Sequence, residues 1–409
     1  MLHVLRQRNF SLLWFGQLIS IIGDWVLFIA LPYYVYNLTG SALATGGMFI
    51  AETVPRLLLG SLAGVFVDRW DRKRTMIAAD LSRAVVLLLL LTVRSVEWLW
   101  LVYVVAFTES AISQFFVPAK SAVIPRLVQE RDLMAANSLD ALSDALTRLI
   151  GPSLGGALMS FLGLSSVVLL DTGSYVISAM LILLITAPMD PAGERVTSSK
   201  GSVAAWAAVW QEWLEGLRLV KGQQLVAGLF AVTGIAMIAQ GIINVLLVVF
   251  VKDVLGGGAL EFGWLATAQG VGGLIGGFVI GQVGQAVQPT RLTIVGVWAA
   301  GLIFLAMVNF PSLLLALGLT GLLGLPAMGY MISAQTLLQA TVADRYRGRV
   351  FGAYGTTNAL LMLVGMGLAA ALGDALGVVP VLDLAGGLFL VAGVVGLPML
   401  KQEEPRFLD

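Results

Sequence analysis

The stretch Gly60-Ser61-Leu62-Ala63-Gly64-Val65-Phe66-Val67-Asp68-Arg69-Trp70-Asp71-Arg72-Lys73-Arg74 decides how this chain is read. It runs out of one long apolar segment and ends just before the next. Glycines four apart give a helix a bare stripe where a second backbone can approach. An aspartate and four basic residues then arrive together. Only 12% of the chain is charged and 58% is hydrophobic, whereas a soluble domain carries roughly 25% charged residues. In so apolar a chain a basic cluster belongs at a membrane surface, facing the cytoplasm. Composition leaves two readings open: a loop that only fixes topology, or part of a working device.

Working outward, the bilayer is the solvent of this protein, because no soluble core could hide so much apolar surface. There is no cysteine, so disulfides, thiolate catalysis and zinc–thiolate sites are excluded. The single histidine, His3, is expected to be a solvated tail residue. No catalytic residue, metal site or nucleic-acid surface is expected. The first apolar segment follows Arg6 and Arg8, is as long as a full span and lacks a cleavage pattern, so it reads as a retained helix.

A spanning helix needs about 20 mostly apolar residues. Twelve segments qualify, near 10–36, 43–67, 76–94, 98–119, 139–163, 166–187, 223–251, 261–285, 290–309, 312–335, 349–373 and 377–400. The expected fold is an all-α polytopic membrane protein of two six-helix halves. The loops on one side carry Arg6, Arg8, the Arg69–Arg74 cluster, Lys120, Arg126, Arg131, Arg195, Lys200, Arg218, Lys221, Arg291, Arg345, Arg347, Arg349, Lys401 and Arg406. The other side has little beyond Arg94 and Lys252. This bias puts both termini in the cytoplasm. The domains are then 1–187, a linker 188–222 and 223–409. In the linker, Trp206, Trp210, Trp213, Leu214 and Leu217 recur at helical spacing, as in an amphipathic interfacial helix. The second half repeats the opening stretch imperfectly, as Gly273, Gly276, Gly277 and Gly281 with Arg291 after them, and without the aspartate.

Ionisable groups in mid-membrane are costly and are functional candidates by default. Asp24 lies inside the first span with no opposite charge near it on its own helix. It must find a partner on another helix, bind a cation or carry a proton. Glu52 and Arg56 are four apart and either pair with each other or serve a substrate. Glu109 is the charged residue of the fourth span. Asp144 and Arg148, also four apart, are an ion pair, an interface position or a site. Asp80 with Arg83 is expected near the cytoplasmic surface, and Asp171 and Asp383 near the interfaces. The run Gly151-Pro152-Ser153-Leu154-Gly155-Gly156 adds a proline that removes a helix hydrogen bond and glycines that admit a neighbouring helix.

The opening stretch resembles the loop 2–3 signature of the major facilitator superfamily. Gly64, Asp68, Arg69, Arg72 and Lys73 match its spacing, Arg74 extends it, and Asp71 replaces its second glycine. The Gly151–Gly156 run is similar to the C-terminal half of the antiporter motif of drug–proton antiporters. The stretches Arg8–Trp14, Ile22–Trp25, Ile124–Leu139 and Arg347–Gly352 resemble the branch holding bacterial macrolide efflux and enterobactin exporter proteins. The resemblance implies alternating access with Gly60, Gly64, Asp68, Arg69, Arg72, Lys73 and Arg74 meeting the Arg347–Arg349 region as a conformational latch. It also implies proton-driven export of small hydrophobic or amphipathic molecules, such as drugs or siderophore-like compounds. The protein is expected in the cell membrane as a monomer, with protons, lipid and a small-molecule substrate as partners and no cofactor. A lipid or lysolipid translocator, or an importer of the same fold, is the alternative.

Overall fold

The computed structural model describes residues 2–67, 69–187, 202–221, 223–284 and 286–400. Those residues form α1 (Arg8–Thr39), α2 (Ala42–Val67), α3 (Arg72–Leu88), α4 (Leu99–Leu127), α5 (Leu133–Leu183), α6 (Ser202–Lys221), α7 (Gln224–Asp253), α8 (Ala259–Val283), α9 (Pro289–Asn309), α10 (Leu313–Thr341), α11 (Arg347–Leu376) and α12 (Val378–Leu400), joined by short 3-10 turns. Among the described residues, eleven helical segments are long and apolar enough to cross a membrane. One of them, Glu130–Leu183, has 54 residues, far more than one crossing needs. The helix breaks at Gly163, where φ is 76° and ψ is 175°, a conformation open in practice only to glycine. Its two arms fall where two separate spans were expected.

The chain divides into two compact units: residues 1–40, 48–205 and 258–263, and residues 41–47, 206–257 and 264–409. The short stretches 41–47 and 258–263 group apart from the rest of α2 and α8.

In the first unit, α1 lies along α5, and α3 packs against α4 and α5. The core beside the loop 2–3 end includes Phe10, Leu13, Met76, Phe116, Leu139 and Ile182. Asp71 caps α3, its carboxylate accepting from the Arg74 N–H at 2.7 Å. Two of the basic residues then hold neighbouring backbone. Lys73 Nζ donates to the carbonyls of Leu183 and Ile185 at 2.8 and 2.6 Å, where a cation meets the partial negative charge at the end of α5, and Arg72 donates to the Ala122 carbonyl of α4 at 3.4 Å. Asp68 lies outside the described residues. His3 keeps an exposed side chain, as expected, and also makes a contact: its Nε2 is 3.0 Å from Asp132 Oδ1, and Gln7 donates to the other carboxylate oxygen at 2.8 Å, at the foot of α5.

The glycines behave unevenly. A Cβ on Gly155 would stand 2.8–2.9 Å from the Val26 backbone, and one on Gly151 would collide with Trp25. Gly156 touches the backbone of Ala259 and Leu260, and Gly263 meets the Pro152 carbonyl. The Gly-Pro run is therefore a backbone-on-backbone seam at Gly155 and Gly156, with Gly151 closed against the Trp25 side chain. By contrast, a Cβ on Gly64 would meet nothing within 4 Å among the described residues, and one on Gly60 would meet only Gln114 Oε1 at 3.6 Å. Among the described residues, no second backbone approaches Gly60 or Gly64.

In the second unit, the imperfect copy packs partly: Gly276 and Gly272 lie against Gly324 and Gly321 of α10, whereas Gly273, Gly277 and Gly281 face open space among the described residues. The α6 helix docks on the start of α11. Glu215 pairs with Arg349 at 3.6 Å, Trp213 Nε1 donates to Thr357 at 3.1 Å, and Gly216 leaves no room for a side chain against Arg349 and Ala353. Arg347 pairs with Asp344 at 2.8 Å. Asp374 receives the Ser41 hydroxyl at 2.6 Å and the Ala42 and Leu43 N–H groups at 2.7 and 3.1 Å, capping the start of α2.

The seam and the open glycine separate in a melting experiment. Gly155→Val should overpack the seam at a cost of about 1–3 kcal/mol, seen as a lower unfolding midpoint in detergent. Gly64→Ala should leave the midpoint unchanged or raise it slightly, since alanine favours a helix over glycine by up to about 1 kcal/mol. Equal effects at the two positions would contradict the seam.

Candidate functional site

A cavity of about 390 Å³ opens inside the first unit. Its wall carries Asp24, Glu52 and Glu109 with Arg56 and Arg148, set among Trp25, Phe28, Leu31, Met48 and other apolar side chains. The sequence candidates Asp24, Glu52, Arg56, Glu109 and Arg148 thus converge from four helices. Asp144 does not join them; it is exposed and absent from the cavity wall. Arg148 stands 5.7 Å from the Trp25 ring centre, a cation–π arrangement. Glu52 and Arg56 do pair, at 2.5 Å. In the second half, Gln240 and Asn244 bond to each other at 2.8 Å, and Thr233 donates to Asn358 at 3.4 Å. Asp383, expected near an interface, accepts from Asn309 at 2.6 Å.

Behind the cavity lies a charged cluster. Asp80 and Arg83 are buried inside the first unit. Their side chains are 0% and 4% exposed, paired at 2.5 Å. The reason is the cap: α3 starts at Asp71, so Asp80 is already about two and a half turns inside. Arg83 reaches Glu109 at 3.9 Å, and its guanidinium lies 4.1 Å from the Tyr175 ring centre and 5.0 Å from that of Phe116. Asp171 is likewise fully buried. The break at Gly163 puts it about two turns into the second arm of α5. Its carboxylate presses on Gly23, where no Cβ fits, and accepts from Ser174 at 3.1 Å. Asp80 Oδ2, Arg83 Nε and Asp171 Oδ2 have no hydrogen-bond partner among the described residues. Buried polar atoms of this kind call for ordered water or a proton.

Tyr175 joins the two layers. Its hydroxyl donates to Asp24 Oδ1 at 2.5 Å, and Glu109 Oε1 lies 3.1 Å from the same hydroxyl oxygen. A phenol has one proton to give. With that proton on Asp24, the contact to Glu109 needs a second proton, carried by a carboxyl. Geometry therefore builds a place where a proton can be held between two carboxylates, with one guanidinium as counter-charge. Sequence reasoning missed Tyr175 because a tyrosine in an apolar run gives no sign of its hydroxyl's partners. Arg83 and Asp80 were findable from their i, i+3 spacing had the turns been counted from the cap.

The chain matches, over residues 1–405, a family described as transmembrane secretion effector. It belongs to that family of the major facilitator superfamily. Macrolide efflux protein A of Streptococcus pyogenes is 27% identical over 98% of this chain and 97% of its own. Multidrug efflux pump Tap of Mycolicibacterium fortuitum is 25% identical over 96% of each, and an uncharacterized transporter of the superfamily from Bacillus subtilis, YfiS, is 26% identical over 98% of this chain and 95% of its own. Among solved structures, a bacterial homologue of the iron transporter ferroportin in an inward-facing state aligns with a TM-score of 0.74 over 97% of this chain and 99% of its own, at 17% identity. That identity supports the shared fold alone. The protein is a multi-pass transporter of the cell membrane.

Arg83 is the site's structural test. Removing one member of a buried pair costs about 3–5 kcal/mol because the other charge is stranded. Arg83→Leu should lower the unfolding midpoint sharply, and adding Asp80→Leu should recover part of the loss. A double variant no more stable than Arg83→Leu would count against Asp80 as the dependent partner.

Proposed function

We propose that this transporter exports small hydrophobic or amphipathic molecules in exchange for protons. The observation that carries the reading is the shared hydroxyl of Tyr175, which brings Asp24 and Glu109 within reach of one proton on the wall of a mixed aromatic and aliphatic cavity. Ligand pockets of this make-up bind apolar bodies and use a few polar groups for orientation. Intramembrane carboxylates facing such a cavity are typical of proton relays. Arg83 supplies the counter-charge from α3, whereas α4 contributes Glu109 and no arginine to the cluster. When the carboxyls are protonated, Asp80 holds the guanidinium; when they release the proton, Glu109 competes for it. The efflux relatives named above favour the outward direction. With the arms of α5 counted separately the chain crosses the membrane twelve times, and the basic loops put both termini in the cytoplasm.

The reading is tested by loading cells with a fluorescent lipophilic drug and following its export with and without a proton uncoupler. Export should be uncoupler-sensitive. Asp24→Asn and Glu109→Gln should each reduce it at least tenfold while the purified variants keep their melting behaviour. Full proton-driven drug movement by a well-folded Asp24→Asn protein in vesicles would remove Asp24 from the mechanism. Export unaffected by the uncoupler would sink proton coupling altogether.

A further inference from the structure

The cavity wall carries two guanidiniums in different situations. Arg56 is taken: it pairs with Glu52, one turn away on its own helix, at 2.5 Å. Arg148 lies over the Trp25 ring, 5.7 Å from its centre, and no carboxylate among the described residues comes within ion-pair distance of it. Asp144 has the spacing to pair with Arg148, but it is exposed and does not line the cavity. A guanidinium resting on an aromatic face keeps its fork of N–H donors for a planar anion, which it can hold through two parallel hydrogen bonds.

The indole beneath Arg148 is fixed. Gly151, three residues further along α5, closes on the Trp25 side chain and leaves no room for a Cβ. Phe28 meets Trp25 edge-on, ring centres 5.4 Å apart, and is backed by Phe49 at 6.2 Å. Asp24 directly precedes Trp25 on α1 and shares the Tyr175 hydroxyl with Glu109. One aromatic patch is thus bordered by a carboxyl pair and by a guanidinium. Among the described residues, these opposite charges form no ion pair with each other across it.

We propose that the preferred substrates are zwitterionic amphipaths: an ammonium group pairs with Asp24 and Glu109, a carboxylate docks on Arg148, and the apolar body lies against Trp25 and Phe28. A molecule with only a cationic group would leave the Arg148 donors unused and bring a like charge toward them. One with only an anionic group would face the carboxyl pair. Specificity then comes from repulsion as well as attraction. The inference deepens the exchange reading above and rests on it for what is transported. In that reading the ammonium and the proton compete for the same carboxyl pair, so binding the substrate sends a proton to solvent. The contact with Arg148 takes no part in that step and sets the substrate class alone.

The test uses one scaffold in three charge forms. The full chain, purified in neutral detergent, is dialysed to equilibrium near neutral pH against norfloxacin, a fluorescent zwitterion with a piperazine ammonium and a carboxylate. Its ethyl ester keeps only the cation and its N-acetyl derivative only the anion. The zwitterion should bind about tenfold more tightly than either derivative. Arg148→Gln should bring norfloxacin down to the affinity of the ester and leave the ester unchanged, and Arg148→Lys should restore part of the difference. Asp24→Asn should bring it down to the N-acetyl form. In weakly buffered solution norfloxacin should release about one proton per molecule bound, and the N-acetyl form none. An ester that binds as tightly as the zwitterion, an undiminished preference in Arg148→Gln, or no binding by any of the three forms overturns the proposal. Uncoupler-sensitive export of a lipophilic cation without this preference would keep the exchange reading and reject the substrate class. The preference without proton release would confirm the class and reject the exchange.

Discussion

One buried guanidinium governs the arrangement of the first unit. Arg83 sits among Asp80, Glu109 and the ring of Tyr175 in a region from which water-accessible surface has nearly vanished. A charge in that setting is tolerable only with partners on several sides. Satisfying it requires α3, α4 and the second arm of α5 to meet at one depth. The break at Gly163 sets where that arm begins, and the cap at Asp71 sets where α3 begins. Helix starts far from the site thus fix which side chains reach it.

The cluster also explains why cavity and core cannot be separated. Asp24 and Glu109 face the cavity, yet both share the Tyr175 hydroxyl, and Glu109 reaches Arg83 behind it. Whatever changes the charge of the cavity carboxyls changes what the guanidinium leans on. Coupling between an inner and an outer layer then follows from contact geometry, without a separate relay.

Much of this was legible in the sequence for a simple reason: membrane spans announce themselves by length and apolarity, and charges inside them stand out. The i, i+4 pair of Glu52 and Arg56 formed as spaced, and the glycines after Pro152 meet backbone as small residues should. Burial was less legible. Nothing in their own stretches says that Asp80, Arg83 and Asp171 are enclosed by neighbouring helices, because one turn of helix already changes a residue's environment. The contact of His3 with Asp132 was not legible, because nothing in its own neighbourhood names a residue more than a hundred positions away. The glycine spacing at Gly60 and Gly64 matched a motif, but spacing does not say whether a neighbour is present in a given conformation.

The seam at Gly155 and Gly156 has a mechanical meaning beyond close packing. Side chains that interdigitate act as teeth, and moving one helix past another then requires rotamers to change in step. Along this seam the backbone of α5 rests on the backbones of Val26, Ala259 and Leu260. A smooth contact of that kind behaves as a bearing. It resists separation, because atoms touch over the whole face, but it offers little resistance to small sliding displacements, the shear motion by which packed helices rearrange without unpacking.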